Sequence, residues 1–161
     1  MVDVGTTPLP SSISKLTWLL EFDESIGGAC GEIMIDLTPS PPGMSRIDAL
    51  CRYSVLCTQF VEYRIGHDLD KSLETVFGYV SVLPGAFAVY RWEAIRNSPL
   101  DLFLVGLRDD LTCHELNLYL AEDRIMGFGI VCNTEKAYRL KYLADCIAVT
   151  DGPETIAGVI K

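Results

Sequence analysis

A chain of 161 residues, 49% hydrophobic and 22% charged, is one globular domain's worth of protein, so disorder throughout is excluded and folding does not require metals or disulfides. Its formal charge of -9, from 22 acids against 13 bases with no basic cluster, disfavours nucleic acid, whose phosphates must be neutralised by Lys and Arg. The apolar run nearest to a bilayer span, Val76 to Tyr90, is broken by Pro84 and Gly85 and falls short of the about 18 residues a span needs.

In chain order, Met1-Val2-Asp3-Val4-Gly5 reads as a short buried strand ending in a turn. An interior strand needs neighbours from earlier sequence, so a fragment or a misplaced gene start is expected. Ser14 to Phe22 reads as an amphipathic helix with Leu16, Leu19 and Leu20 near one face. Ile26 to Ile35, holding Gly27, Gly28 and Gly31, reads as a strand whose backbone passes something closely. Thr38 to Gly43 is a loop. The clearest helix runs from Ile47 to about Ile65, with Ser45 and Asp48 as a capping box and Gly66 as its stop. Its mainly apolar face is Ile47, Leu50, Cys51, Ser54, Cys57, Val61 and Ile65.

His67 to Glu74 is polar and is expected on the surface. Phe77 to Trp92 reads as two strand-like runs about the bend at Pro84-Gly85, with a helical turn over Glu93 to Asn97. Asp101 to Leu118, with Arg108-Asp109-Asp110, is ambiguous; Leu120 to Cys132 reads as a helix weakened by Gly127 and Gly129. Tyr138 to Thr150 carries a buried strand around Cys146 to Val149, and Asp151-Gly152-Pro153 turns the chain. β-Branched runs mixed with amphipathic helices make the fold class α/β.

Six cysteines, Cys30, Cys51, Cys57, Cys113, Cys132 and Cys146, form no Cys-x-x-Cys pair, so a zinc knuckle has no support. Cys30, Cys51 and Cys57 lie in apolar runs and read as buried free thiols. Cys113-His114 lacks a third orienting residue, and the Gly27 to Gly31 run lacks the spacing of a phosphate-binding loop.

Three groupings can carry chemistry. Asp3 before Val4-Gly5 can hold a divalent cation against a diphosphate, although an Asp-x-Gly turn is the plainer reading of the triplet by itself. Glu122-Asp123-Arg124 follows an apolar run and opens a helix; a carboxylate there can serve as a general base, while stabilisation by the helix dipole already accounts for two acids. Pro84-Gly85-Ala86-Phe87 offers small residues and an aromatic that could lie on a pyranose face, or a turn packed into the core.

Five stretches together resemble the catalytic domain of fungal-type chitin synthases: Asp3 to Thr6, Ile26 to Ile33 (IGGACGEI), Leu69 to Tyr79 (LDKSLETVFGY), Ser81 to Arg91 (SVLPGAFAVYR) and Asn117 to Ile125 (NLYLAEDRI). Thr150-Asp151 with Pro153 is similar to a sixth. The resemblance implies an incomplete GT-A-like (nucleotide-diphospho-sugar transferase) fold with a mixed central sheet. It further implies an inverting, processive transfer of N-acetylglucosamine from UDP-N-acetylglucosamine to the 4-hydroxyl of a growing β-1,4 chitin chain. By the same resemblance Asp123 is the base, Glu122 supports it, and Asp3 helps bind the metal (Mg or Mn) and donor diphosphate. Pro84, Gly85, Ala86, Phe87 and Arg124 border donor and acceptor, and Glu32 lies in a segment beside the active site.

Residues 1–161 then correspond to a partial domain. The upstream uridine-binding half, the family's Gln-Arg-Arg-Arg-Trp motif and the membrane helices are missing from this sequence. A full-length protein would sit at the cytoplasmic face of the plasma membrane or of chitin-synthase vesicles, with a homo-oligomer among its expected assemblies. Ala88-Val89 departs from the family's Ser-Ala, Gly127-Phe128-Gly129 from its Cys-aromatic-Glu run, and Val149 from the Glu before Thr-Asp. The last two departures fall near the expected active centre and fit a diverged copy. Two alternatives stand beside the main reading, an inactive remnant that binds a synthase partner and a related β-glycan synthase, from which the Leu69 to Arg91 match points away.

Overall fold

The computed structural model describes residues 1–38, 42–96, 98–105, 108, 110–113, 115–116 and 122–153. Within them a four-stranded mixed sheet has the order β1-β4-β2-β3. The strands are β1 (Thr6–Pro8), β2 (Ile26–Ile35), β3 (Ala88–Tyr90) and β4 (Arg139–Thr150). β2 and β4 run parallel, while β1 and β3 pair antiparallel to β4 and β2. This agrees with the expected α/β class and mixed sheet.

β2 is buried along almost its whole length, as a strand covered on both faces must be. One face of the sheet packs Cys30, Val80, Leu83, Ala88, Met126, Ile130, Leu140 and Tyr142. The other packs Leu16, Leu20, Ala29, Ile33, Phe87, Cys146 and Ala148, under α1 (Ser12–Phe22). The glycines of β2 have the close neighbours expected of them. A Cβ at Gly31 would collide with the Cys146 carbonyl and the Phe87 ring. At the same level the β2–β4 register slips from Gly31↔Leu143 to Glu32↔Ile147, leaving Ala144, Asp145 and Cys146 bulged.

Several expectations need correction. Met1 to Gly5 is not a buried strand: Val2 makes one isolated bridge to Phe87, Val4 is fully exposed, and the strand begins at Thr6 after Gly5 turns with φ +92°. Helix α2 (Arg46–Ile65) does form, and Ser45 caps it by accepting from the Ile47 N–H. Its apolar stripe, however, faces outward, with Ile47 73% and Leu50 66% exposed. The inward face is Arg52, Leu56 and Tyr63, continued by His67 just past the helix end. Arg52 reaches the Thr38 carbonyl, and the His67 ring lies between an Ile33 N–H and the Tyr63 carbonyl. Polar partners on the sheet, together with Leu56, decide the helix's rotation over its apolar stripe.

Gly66 does not stop the helix. It is helical, and the chain widens into a π-helical turn over Gly66–Lys71 before α3 (Ser72–Val76). The polar stretch from His67 is therefore helical; Asp68, Leu69 and Asp70 are exposed as expected, and His67 alone is buried. The first expected strand of the Phe77 to Trp92 region is an irregular strap; only Ala88–Tyr90 is a strand. Cys51 is exposed, not buried, and Cys57 is half-buried.

Helix α4 (Trp92–Ile95) matches the expected helical turn, and Asn97 lies outside the described residues. Helix α5 spans Ser98–Val105 and α6 spans Glu122–Val131. The Leu120 start expected for the latter, His114, Asp109, Asn117 to Ala121 and the Pro39 to Pro41 part of the loop also lie outside the described residues.

Candidate active site

The turn Pro84–Phe87 gathers the two acidic positions. It closes on itself through the Phe87 N–H and the Pro84 carbonyl, at 3.1 Å. On one side the Asp3 N–H donates to the Ala86 carbonyl at 3.2 Å, and the Met1 and Ala88 backbones exchange bonds just beyond. On the other side the Gly85 N–H donates to Asp123 Oδ2 at 2.7 Å. Asp3 and Asp123, distant in sequence, thus attach to adjacent residues of one turn. Gly85 is required by this approach, because a Cβ there would stand 2.9 Å from Asp123 Oδ1 and 3.1 Å from Met1 Cε.

Asp123 sits half-buried in the first turn of α6, flanked by exposed Glu122 and Arg124. Burial pushes its carboxyl above the ordinary range; the charges of Glu122 and Asp3 add to the rise, and the Gly85 N–H and Lys71 oppose it. A carboxylate of raised basicity takes a proton more readily. The Tyr90 phenol, within reach of the same charge, is pushed up by burial first and then by Asp123 and Cys30. Its hydroxyl donates to the Leu83 carbonyl at 3.4 Å.

The remaining expected site residues divide. Pro84 and Ala86 are half-buried within the turn. Phe87 is 1% exposed and packs in the core beneath α1. Of the two readings of its ring, core packing holds, and a ring so enclosed cannot lie on a sugar. Glu32 is buried and ion-paired with Arg64, which also pairs with Asp68 at 2.8 Å. It belongs to a second polar cluster, with Arg64, Asp68, His67 and Tyr142, where β2 and β4 face α2 and the π-helical turn.

Sequence reasoning missed Lys71 and Glu74, which reach the strap ahead of the turn. Their spacing of three on a helix was the available signal, because such residues share a face.

Among the described residues no group of three or more His, Cys, Asp or Glu converges to hold a metal. Asp3, exposed beside the turn, still fits a Mg-type ion, which takes one or two carboxylates and otherwise substrate phosphates and water.

The sequence model of the family described as a chitin synthase-like glycosyltransferase domain matches residues 1–161. Chitin synthase 1 of Phytophthora sojae is 40% identical over 99% of this chain. Chitin synthase 2 of Mycosarcoma maydis is 35% identical and chitin synthase 1 of Saccharomyces cerevisiae 38% identical, each over 97% of the chain. The chain spans only 17%, 14% and 13% of the lengths of these three relatives.

Proposed function

The chain belongs to the chitin synthase-like glycosyltransferase domain family, and from that premise we propose that it forms the acceptor-activating part of an enzyme that extends chitin from UDP-N-acetylglucosamine. The observation that carries this reading is the Gly85–Asp123 bond, which holds a carboxylate of raised basicity within electrostatic reach of Asp3.

In the proposed step, the acceptor 4-hydroxyl oxygen forms a bond to the donor's anomeric carbon while the bond from that carbon to the UDP oxygen breaks. Entry opposite the leaving group inverts the centre. Asp123 takes the hydroxyl proton, with Glu122 beside it adding negative charge that raises its basicity. The Pro84–Phe87 turn orients the carboxylate through Gly85, and Arg124, exposed on the same helix turn, is available to substrate anions. Asp3 would hold the divalent cation, Mg or Mn, which when bound offsets the charge of the leaving diphosphate.

No helix of the described residues is long and apolar enough to cross a membrane. We assign membrane attachment and the uridine pocket to parts of a longer polypeptide, with the active site on the cytoplasmic side. On this reading the 161-residue chain by itself does not polymerise sugar.

The test is Asp123→Asn in a full-length synthase carrying this span, assayed by incorporation of labelled N-acetylglucosamine into insoluble chitin. Loss of a positioned base lowers turnover by about 10²–10⁴-fold. Unchanged turnover would remove Asp123 from the role.

A further inference from the structure

The strap from Ser81 to Leu83 lies ahead of the site turn without a strand of its own, and side chains hold three consecutive residues of it. Glu74 Oε2 accepts from the Ser81 N–H at 2.9 Å, Lys71 Nζ donates to the Val82 carbonyl at 2.9 Å, and the Tyr90 hydroxyl donates to the Leu83 carbonyl at 3.4 Å. Pro84 follows, and then Gly85, whose N–H binds Asp123. The strap is thus clamped at one end by the Lys71/Glu74 pair and delivers its other end to the carboxylate.

The π-helical turn explains why Lys71 can reach. An extra residue per turn rotates everything after it by roughly 100° relative to a continuous α-helix. Lys71 is the last residue of that turn. The turn is anchored to β2 through His67, which accepts from the Ile33 N–H. A backbone carbonyl held by an ammonium group makes a stronger bond than one held by a neutral donor.

We propose that Lys71, supported by Glu74, is a positioning residue that fixes the Ser81–Gly85 strap and through the Gly85 N–H sets the orientation of Asp123. The proposal rests on Asp123 being the base. Lys71 touches no substrate in it; it acts through the strap, and its charge, which holds the Asp123 carboxyl down, is kept in Lys71→Arg.

The experiment compares Lys71→Met, Lys71→Arg, Asp123→Asn and the Lys71→Met/Asp123→Asn double variant in a full-length synthase carrying this span. Misplacing a catalytic group by about 1 Å costs roughly 10²-fold, so Lys71→Met lowers kcat by about 10–100-fold with KM for UDP-N-acetylglucosamine within about twofold. Lys71→Arg, which keeps a charged donor, recovers most of the loss. The double variant is no slower than Asp123→Asn alone, because the two residues act as one unit.

Wild-type kcat in Lys71→Met, a raised KM at constant kcat, or a full additive loss in the double variant overturns the proposal. An Asp123→Asn enzyme of normal activity instead overturns the base assignment. In that case Gly85 amide exchange in the 161-residue chain decides the strap's role: faster exchange in Lys71→Met, with β2 amides unchanged, supports it and equal exchange refutes it. Should Lys71→Met not fold, Lys71→Leu, which also has no donor for the Val82 carbonyl, takes its place in every arm under the same criteria.

Discussion

Replacing Gly85 by Ala separates the geometry of the site from the stability of the fold. The added Cβ would stand 2.9 Å from Asp123 Oδ1 and 3.3 Å from Oδ2, so the carboxylate must retreat by a few tenths of an ångström. The 2.7 Å bond from the Gly85 N–H stretches with it. A hydrogen bond to a charged group contributes about 1.5–3 kcal/mol when intact, and stretching it loses roughly 1 kcal/mol. The φ of Gly85 is not positive, so Ala also restricts the unfolded chain and returns about 0.4–1 kcal/mol. The net change in stability is below about 1 kcal/mol, or about 2–4 °C in Tm for a domain of this size. Turnover in a full-length synthase should fall roughly 10²-fold, because the group that moves is the proposed base. Thermal unfolding of the chain and chitin synthesis by the full-length protein measure the two effects. Wild-type turnover in Gly85→Ala would refute the link from the turn to the carboxylate, and a loss of stability above about 3 kcal/mol would show that the site cannot yield as reasoned.

Gly31→Ala behaves differently, because its Cβ meets the Cys146 carbonyl and a buried Phe87 ring; urea unfolding should show a loss of about 3 kcal/mol, the upper part of the overpacking range, and a loss under about 0.5 kcal/mol would contradict the packing at the bulge. Asp123→Asn should raise Tm at about pH 7: burial, then Glu122 and Asp3, raise the folded carboxyl's proton affinity, so its stabilisation is full below the unfolded value near about pH 4 and is lost as pH rises through the folded value. The variant's advantage should accordingly vanish below about pH 4, and a lower Tm at neutral pH would count against this sign. Cys51, Cys113 and Cys132 are exposed and should react with a disulfide reagent at about pH 8, whereas buried Cys146 and Cys30, whose thiol burial pushes up to about 11, should react only after unfolding. Rapid labelling of Cys30 in the folded chain would show that β2 is less enclosed than described.

Local signals located most of the elements. Leu16 and Leu20 face the core from α1 as their spacing requires, and the glycines of β2 do admit close neighbours. The short-range order failed where two local signals competed for one element. α2 carries both an apolar stripe and a polar face with Arg52, Tyr63 and Arg64, which the π-helical turn continues with His67. Periodicity ranks the stripe first, but a buried Glu32 and the open Ile33 N–H need partners, and an unpaired buried polar group costs more than an exposed apolar one. Gly66 misled for a related reason. Glycine favours a helix stop only when the chain has no use for continuing, and here the π-helical turn carries His67 and Lys71 to their partners.

The candidate site was legible as residue types and order. Asp3, the Pro84 to Phe87 segment and Glu122-Asp123-Arg124 stand in the sequence with the chemistry assigned to them, since a carboxylate's ability to take a proton and a glycine's lack of a side chain are properties of the residue itself. What the residues could not state was distance. Whether Asp3 and Asp123 meet depends on the closure of a turn that pairs with the start of the chain on one side and with α6 on the other. The enclosure of the Phe87 ring, the outward stripe of α2 and the reach of Lys71 likewise follow from long-range packing. Such contacts depend on the whole sheet being assembled, because each gains its free energy only when residues remote in the chain have excluded water from the same place.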